Sequence, residues 1–343
     1  MTKLDLLPPG PGNARNSEGA FIELTDGRLL FVYTHFTGGG GDHDSAHLAG
    51  RFSDDGGRTW TSEDTMILPN EGDMNVMSVS LLRLQDGRIA LFYIRKDSTK
   101  SLHLYMRTSE DEAKTWSEPT LCIPAEGYFV VNNDRVIQLR SGRLVAPTSL
   151  HNTAQGDWSV RGAVMCFLSD DNGRTWRQSM NQLEHPDPEG ILQEPGVVEL
   201  KENDRLMMLM RTSSGCQYRS WSADGGVTWS KPEPTDIISP VSPATVKRIP
   251  KTGDLLLVWN NHKDVDEIYR GKRTPLTAAV SRDEGKTWEN IKTLEDDPGG
   301  WYCYTAMYFV DDRVVLGYCA GQRATGGLNL TRITTFDVDW LYR

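Results

Sequence analysis

The architecture of this chain follows from one octapeptide, Ser53-Asp54-Asp55-Gly56-Gly57-Arg58-Thr59-Trp60, which returns four more times along the sequence. The other copies start at Ser109, Ser169, Ser222 and Ser281. The copy at Ser109 is degenerate, because Ala113 stands where the others have glycine. The starting serines are 53 to 60 residues apart. A repeat of that length is too long for a helical pair and fits a propeller blade of four short strands.

Each copy is a self-contained device for making a turn. The Ser and Asp side chains can bond nearby backbone amides and fix the turn. The glycine supplies a positive φ that a side chain would resist. The Thr-Trp pair then starts the next strand, and the indole can be buried against the blade. These aspartates and tryptophans are therefore interpreted as structural residues, outside any active site.

A second periodic signal alternates with the first and consists of hairpin turns flanked by apolar strands. The turns are Asp26-Gly27-Arg28, Asp86-Gly87-Arg88, Ser141-Gly142-Arg143, Asn203-Asp204-Arg205, Thr252-Gly253-Asp254 and Asp311-Asp312-Arg313. Six hairpins over 343 residues give about 57 residues per unit. The sixth unit has no Trp turn, and its last strand is predicted at 329–336.

These signals together predict an all-β fold with few helices. The chain is expected to form a single domain over residues 1–343, a six-bladed β-propeller of four-stranded antiparallel blades. A ring needs closure, and we expect one blade to combine strands from both ends of the chain.

Composition limits the partners and the compartment. The net charge of −10 makes nucleic acid and anionic membrane surfaces poor partners. The sequence contains no apolar run of the roughly 18 residues that span a bilayer, and the first residues lack the apolar core of a signal peptide. Five widely spaced cysteines fit no zinc pattern and suggest free thiols. We expect a cytoplasmic protein, or a periplasmic or secreted one if a signal peptide has been removed. The sequence does not reveal the oligomeric state.

Four segments between the turns carry residue types suited to chemistry. The first is Gln193-Glu194-Pro195, with Arg211 at the end of the following apolar strand. The second is Arg273-Thr274-Pro275, just before the fifth copy of the octapeptide. The other two segments are Tyr302-Cys303-Tyr304-Thr305 and the loop Gly38-Gly39-Gly40-Gly41-Asp42-His43-Asp44.

With these segments in this order, the chain resembles the sialidase superfamily, the bacterial neuraminidases with BNR repeats, over nearly its whole length. The resemblance implies an exo-acting glycoside hydrolase that retains stereochemistry. It implies Tyr304 as the nucleophile, with Tyr302 as a competitor, and Glu194 as its base. It implies that Arg211 and Arg273 bind the substrate carboxylate, and that the acid/base is Asp42, with Asp44 as the second choice.

The implied residue types suit the chemistry of a sugar that carries a carboxylate on its anomeric carbon. An Asp or Glu nucleophile would be repelled, whereas a tyrosine with a nearby glutamate base can attack as a less charged group. Arginine gives planar, bidentate recognition of a carboxylate. Asp42 could protonate the leaving oxygen if its pKa is raised in the closed site. This chemistry requires no metal and no organic cofactor, and its partner is a carbohydrate substrate.

The first strand departs from the family pattern. The superfamily places there an arginine that completes a carboxylate-binding triad, whereas counting back from the Asp26 turn puts Ser17 or Glu18 at that position. Either Arg15 reaches in from an earlier position, or the triad is incomplete, in which case Arg135 could supply the missing charge. Glu18 would repel a carboxylate. His43 and Asp44 lie beside the candidate acid, in a loop better explained as a polar lid than as a metal site.

This departure keeps two alternatives open. One is an enzyme of the same fold, a hydrolase or lyase, that acts on a different sugar such as a uronic-acid or deoxy-sugar glycoside. The other is a non-catalytic carbohydrate-binding propeller, because the fold also serves as a recognition surface. A binding protein would have no need of the pair formed by Tyr304 and Glu194.

Overall fold

The computed structural model describes residues 1–152 and 156–343, and it confirms the predicted six-bladed propeller. Strands in each blade are antiparallel. Within these two described ranges, helix is confined to three short 3-10 turns, Glu267–Tyr269, Arg323–Thr325 and Val338–Tyr342. Among the described residues, no helix has the length and apolar character needed to cross a membrane.

The first half of the chain forms the outer strand of the last blade and then three blades of its own. The strands are β1 (Thr2–Leu7), β2 (Arg15–Glu23), β3 (Leu29–Phe36), β4 (Ala46–Ser53), β5 (Thr65–Leu68), β6 (Asn75–Arg83), β7 (Ile89–Ser98), β8 (Ser101–Ser109), β9 (Thr120–Leu121), β10 (Phe129–Val130), β11 (Ile137–Gln138), β12 (Leu144–Leu150), β13 (Ala163–Ser169) and β14 (Arg177–Gln178). Blade 1 is β2-β3-β4-β5 and blade 2 is β6-β7-β8-β9. Blade 3 is β10-β12-β13-β14, and because β11 also pairs with β12, its inner strand is split in two.

The second half of the chain forms the remaining three blades. The strands are β15 (Leu192–Glu199), β16 (Leu206–Thr212), β17 (Cys216–Ser222), β18 (Glu233–Ile238), β19 (Thr245–Arg248), β20 (Leu255–Asn260), β21 (Leu276–Ser281), β22 (Glu289–Glu295), β23 (Gly300–Val310), β24 (Arg313–Gln322) and β25 (Thr331–Asp337). Blade 4 is β15 to β18, blade 5 is β19 to β22, and blade 6 is β23-β24-β25-β1. The ring is therefore closed by mixing strands from both ends, as predicted, through the pairing of β1 with β25.

The hydrophobic core lies between the blades. Six clusters of buried side chains each join one pair of neighbouring blades, including the pair formed by blades 6 and 1. The tryptophan of each octapeptide packs against one cluster, as Trp60 does between blades 6 and 1. The interface between blades 5 and 6 lacks such a turn, and there Trp340 of the last 3-10 helix packs against the cluster instead.

The octapeptide makes the hydrogen bonds expected of a turn. In the first copy, Ser53 Oγ accepts the amide of Gly57 at 2.8 Å. Asp55 Oδ1 accepts the amide of Thr59 at 2.9 Å, and Asp55 Oδ2 accepts the hydroxyl of the same threonine at 2.7 Å. Trp60 Nε1 donates to the carbonyl of Gly57 at 3.1 Å. The copies are thus structural elements on the rim of the propeller, as interpreted from sequence.

Candidate active site

The inner strands of the blades share an irregularity that places polar side chains at the propeller axis. In blades 1, 2, 4 and 6, the inner strand pairs with the second strand of the blade, and the register of this pairing shifts at one point. The residue at each shift has a positive φ and is not glycine. These residues are Glu18 (φ 58°), Ser78 (φ 57°), Glu194 (φ 50°) and Tyr304 (φ 55°). A bulge of this kind re-aims one side chain and is common next to active sites.

All four bulge residues line one cavity of about 510 Å³. Its wall is completed by polar side chains, Asp42, His43, Lys96 and Gln193 among them, and by an apolar side that includes Met77, Ile94, Leu102 and Val130. His151 and Trp158 stack at the same cavity with ring centroids 5.6 Å apart. The cavity therefore offers charged groups and a flat aromatic surface together, as sugar sites require.

The structure brings Tyr304 and Glu194 together, although they are 110 residues apart in the sequence. Tyr304 Oη donates to Glu194 Oε1 at 3.2 Å. Arg211 Nη1 donates to the other oxygen of that carboxylate at 2.7 Å. Both Tyr304 and Glu194 sit at quasi-equivalent bulges of blades 6 and 4, so the ring itself sets their separation.

The surroundings favour a neutral phenol beside a charged carboxylate. Burial raises the pKa of Tyr304 far above its usual value, and the Glu194 carboxylate adds to the rise. Burial also opposes ionisation of Glu194, but the charges of Arg211 and Arg273 outweigh it and lower its pKa. A protonated phenol therefore faces a carboxylate that can accept its proton.

Arg273 lies against the same tyrosine from the other side. Its guanidinium is 5.2 Å from the ring centroid of Tyr304 and 5.3 Å from that of Trp301, both distances within the range of cation–π contacts. Arg211, Arg273 and Trp301 line a second cavity of about 360 Å³. The Nε atoms of Arg211 and Arg273 are buried without a protein hydrogen-bond partner. This cavity thus has two cations in its wall beside the Tyr304 and Glu194 pair.

Arg15 reaches the site, but its donors are occupied. The guanidinium donates to Glu18 Oε1 at 2.6 Å and to Asp42 Oδ1 at 2.6 Å. Its Nε donates to Ser17 Oγ at 2.9 Å. Arg15 is only 2% exposed, so a substrate carboxylate could contact it only by displacing these partners. Arg15 does come in from its early position, but it arrives already paired with Glu18 and Asp42.

The two acidic groups bonded to Arg15 differ in their proton affinity. Burial raises the pKa of Glu18 despite the opposing charge of Arg15, and the Asp42 carboxylate adds to the rise. Burial opposes ionisation of Asp42 as well, but Arg15, Lys96 and His43 outweigh it and lower its pKa. The Asp42 side chain is 61% exposed at the edge of the cavity. The raised pKa expected for an acid catalyst is thus found at Glu18.

Blade 2 holds the loop that carries Asp42. Asn75 Nδ2 donates to the backbone carbonyls of Asp42 at 3.0 Å and Asp44 at 2.8 Å. The buried Lys96 ammonium donates to the same Asp42 carbonyl. Asp44 Oδ2 accepts the amide of Gly41 at 2.7 Å and is absent from the cavity wall. Asp44, the second choice for the acid, is therefore a turn cap, because its carboxylate closes the loop on itself.

Two predicted substrate-binding residues lie elsewhere. Arg135 is buried and donates to Thr245 Oγ1 at 3.0 Å and to the carbonyl of Ala244 at 3.0 Å. Because both terminal nitrogens of Arg135 donate hydrogen bonds to neighbouring parts of the propeller, Arg135 does not stand in for the substrate-binding arginine that the first strand lacks. Tyr302 packs in the cluster between blades 5 and 6. Strand alternation predicted one face for Tyr302 and Tyr304, and the bulge that begins at Tyr304 breaks that alternation.

Several cavity residues were missed from the sequence. Ser78 donates to a carboxylate oxygen of Glu18 and stands 60 residues after it, so the repeat length alone could have identified it. Lys96 lies near the end of β7 and is only 1% exposed. A buried lysine gives no sequence signal that distinguishes it from a surface one. Within the described part of the chain, no three His, Cys, Asp or Glu side chains are grouped to hold a metal ion.

Comparison with known families gives a match over most of the chain. Residues 27–317 match the family described as the BNR repeat-like domain. The chain is 26% identical over 384 residues to a sialidase of Micromonospora viridifaciens, a match that covers 99% of the chain and 54% of that protein. It is 26% identical over 313 residues to an anhydrosialidase of Macrobdella decora, a match that covers 83% of the chain and 38% of that protein. The chain thus spans about half the length, or less, of these curated relatives.

Solved structures give the same architecture. A leech intramolecular trans-sialidase complexed with 2,7-anhydro-Neu5Ac superposes with a TM-score of 0.76 at 16% identity, covering 99% of this chain and 71% of that one. A protein of unknown function from Dyadobacter fermentans DSM 18053 also superposes with a TM-score of 0.76, at 19% identity, covering 97% of both chains. At these identities the likeness is one of fold.

Proposed function

Because the chain belongs to the BNR repeat-like domain family of the sialidase superfamily, we propose that it is a glycoside hydrolase that removes a terminal acidic sugar with retention of stereochemistry. The observation that carries the proposal is the hydrogen-bonded series Tyr304–Glu194–Arg211, which lies between the two cavities. Its similarity to a sialidase and to an anhydrosialidase supports this class of reaction. A cavity of about 510 Å³ suits one terminal sugar unit, and hence exo action.

In the proposed first step, Tyr304 Oη attacks the anomeric carbon and its proton passes to Glu194. The bond to the leaving oxygen breaks, and that oxygen takes a proton from a cavity acid. In the second step, water replaces Tyr304 at the anomeric carbon, with the proton movements reversed. The lowered pKa of Glu194 supports its role as the base, because the group is ionised at neutral pH.

Two arginines are proposed to hold the substrate carboxylate. Arg211 and Arg273 each have a buried Nε without a protein partner, next to the reacting tyrosine. Arginine suits this role because its planar donors match the two oxygens of a carboxylate. Arg15 is assigned a different role, since its donors already bind Glu18 and Asp42. The proposed carboxylate site thus has two arginines, both lining the second cavity, instead of three.

The proton for the leaving group is proposed to come from the two carboxyls bonded to Arg15. Glu18 is the stronger candidate of the two in the free protein, since it is buried in the cavity wall and its pKa is raised. Asp42 is the donor that family resemblance implies, and its exposed position at the edge of the cavity faces an incoming aglycone. Glu194 must be ionised and the donor protonated, so activity falls as pH drops through the pKa of Glu194 and as it rises through that of the donor.

The engaged Arg15 also supports a second substrate class. A sugar whose carboxylate is held by only two arginines, such as a uronic acid, would not need a contact with Arg15. A carboxyl oxygen of Glu18 could accept a hydroxyl hydrogen bond from such a sugar whether or not the group is protonated. Sialic acid and uronic acids share the carboxylate and differ in where it is attached, so turnover must decide between them.

The test is hydrolysis of a panel of aryl glycosides, with α-sialosides beside uronides and neutral deoxy-sugars. Each substrate is also made with an alkyl leaving group, which needs more help from an acid. The proposal predicts turnover of at least one acidic glycoside, and its loss in Tyr304→Phe. The variant of the true proton donor, Glu18→Gln or Asp42→Asn, retains aryl turnover and loses alkyl turnover. Binding of sugars without turnover of any glycoside would contradict the enzyme and favour a carbohydrate-binding propeller.

A further inference from the structure

Arg273 is a buried arginine without a carboxylate partner in the described part of the chain. It is 8% exposed, and its Nε has no hydrogen-bond partner. Its one side-chain hydrogen bond goes from Nη1 to Cys303 Sγ at 3.0 Å. The nearby carboxylate, Glu194, is already bonded by Arg211 and Tyr304. Besides the rings of Trp301 and Tyr304, the group in contact with the cation of Arg273 is therefore the sulfur of Cys303.

A guanidinium in this position needs a counter-charge. Arginine stays protonated in proteins, so burial cannot neutralise it as it can a lysine. A buried charge is tolerated when it is paired and hydrogen-bonded. A thiolate meets both conditions, and a cysteine beside an arginine is the kind that ionises most readily.

Cys303 also has a second thiol as its cross-strand neighbour. Cys319 stands directly opposite it in the ladder between β23 and β24, and both thiols are free and buried. Burial opposes the Cys303 thiolate, but the Cys319 thiol and the charge of Arg273 outweigh it and hold the pKa of Cys303 below its usual value. The titratable and charged groups that face this pair are Arg273, Glu194, Tyr304, Arg15 and Glu18.

We propose that Cys303 is a thiolate that serves as the resident counter-ion of Arg273 while the site is empty, and that it takes up a proton when a substrate carboxylate replaces it. The proposal rests on the proposed function in one respect, namely that an acidic sugar binds Arg273. Cys303 is a positioning residue, since it acts on the substrate only through the arginine. No bond to sulfur forms or breaks except the S–H bond, whose proton comes from solvent.

This arrangement makes carboxylate binding depend on pH in a way that the phenol and carboxyl groups do not explain. The thiolate and the substrate carboxylate compete for one cation. Above the pKa of Cys303 in the free protein, the dissociation constant of an acidic sugar therefore rises about tenfold for each pH unit. Below that pKa the affinity is constant. The competition keeps Arg273 in place between turnovers without leaving a buried charge unpaired.

The first test asks whether the thiolate exists, and it needs no ligand. The ultraviolet absorbance of thiolate is titrated against pH in the intact protein, with a phosphine reductant present to keep Cys303 and Cys319 reduced. We expect one of the five cysteines to ionise well below the others, and expect that component to vanish in Cys303→Ser. The matched control is Cys166→Ser, a change at an equally buried thiol outside the site, which leaves the component intact. Absence of the early component in the wild type, or its survival in both Cys303→Ser and Cys303→Ala, overturns the proposal.

The second test asks whether binding is coupled to the thiol. The dissociation constants of N-acetylneuraminic acid and of D-glucuronic acid are measured across pH in wild type and Cys303→Ser. We expect the wild-type constant to rise steeply with pH for the acid that binds, with uptake of one proton, and expect a flat profile in the variant. Equal slopes in the two proteins contradict the coupling. If neither acid binds at any pH, the proposed function and the coupling both fail, whereas the absorbance titration still decides whether Cys303 is ionised.

Discussion

The rim turns and the axis bulges of this propeller use the same backbone conformation in opposite ways. Both contain residues with positive φ, a region that L-amino acids avoid at a cost of about 1–2 kcal/mol. At the rim, four of the five octapeptide copies place glycine at the fifth position, which has a positive φ. These residues are Gly57 (φ 89°), Gly173 (φ 85°), Gly226 (φ 86°) and Gly285 (φ 82°). At the axis, none of the four bulges of blades 1, 2, 4 and 6 has a glycine at its positive-φ position.

The difference separates what the fold needs from what the site needs. The fifth position of a rim turn requires only the conformation, so four of the five copies have there the residue that adopts it freely. An axis bulge requires a side chain as well, because Glu18, Ser78, Glu194 and Tyr304 all project into the cavity. Strain that persists where glycine would remove it is a mark of function. The comparison predicts that changes at the axis cost activity while changes at the rim cost stability.

The largest effect is expected at the axis. Replacing Tyr304 with Phe removes the attacking oxygen and keeps the ring, so turnover should fall by about 10⁴-fold or more. The melting temperature should hold, since the one side-chain hydrogen bond lost is that to Glu194. Tyr302→Phe is the matched control, because that ring lies two residues away in the core between blades 5 and 6. Equal activity in Tyr304→Phe and Tyr302→Phe would contradict the distinction between a catalytic tyrosine at the axis and a structural tyrosine in the core.

The cations beside the axis should affect binding more than turnover. Arg211→Ala or Arg273→Ala removes a charged hydrogen bond to the substrate, and each should weaken binding of an acidic sugar by about 1.5–3 kcal/mol. Titration calorimetry with acidic and neutral sugars measures the effect. Arg282→Ala, at an exposed position, is the control. A neutral sugar that loses as much affinity as the acidic one would argue against carboxylate recognition.

At the rim the expected loss is one of stability. Asp55 accepts two backbone amides and two hydroxyls, so Asp55→Ala should lower the free energy of unfolding by about 1–2 kcal/mol with turnover unchanged. These hydrogen bonds lower the pKa of Asp55 to about 2 in spite of partial burial. Because the folded pKa is depressed, this stabilisation is complete above the ordinary pKa of Asp and is lost as pH falls towards 2. A variant that unfolds in acid with the same profile as wild type would show that the turn contributes little.

The smallest effect is expected at the degenerate octapeptide. Ala113 has a φ of 63°, so the second blade carries, at the fifth position of the octapeptide, the strain that the other four copies avoid there with glycine. Ala113→Gly should raise the free energy of unfolding by about 1 kcal/mol, and Gly57→Ala should lower it by at least as much. Denaturant titration measures both. If Ala113→Gly destabilises the protein, the simple account of glycine at the rim is wrong.

Sequence was sufficient for the fold because the fold is repetitive and local. Each octapeptide fixes its own turn, and five copies at blade spacing leave few other architectures. The last strand was predicted over 329–336 and is found at Thr331–Asp337, a shift of one to two residues at its ends. The split inner strand of blade 3 was not predicted. It depends on Asp134, which accepts bonds from Lys247 and Met307 in other blades, and such long-range contacts leave no local signal.

The site was predicted less completely, for a physical reason. Family resemblance supplied Tyr304, Glu194, Arg211 and Arg273, and the ring brings these together. Strand alternation failed at Tyr302, because one inserted residue in a bulge reverses the faces that follow it. The sequence alone does not show that Arg15 is bonded to both Glu18 and Asp42, because that depends on how its own strand, β2, meets the loop that carries Asp42.

The central claim, that Tyr304 forms a covalent link to the sugar, is tested most directly by mass spectrometry. The protein is treated with the fluorinated glycosyl fluoride of whichever acidic sugar is cleaved in the substrate panel, an inactivator that forms the intermediate quickly and releases it slowly. The account predicts one added sugar per chain, located on the peptide that contains Tyr304 and absent from Tyr304→Phe. An adduct on a different residue, or complete turnover of the substrate with no adduct at any time, would contradict it.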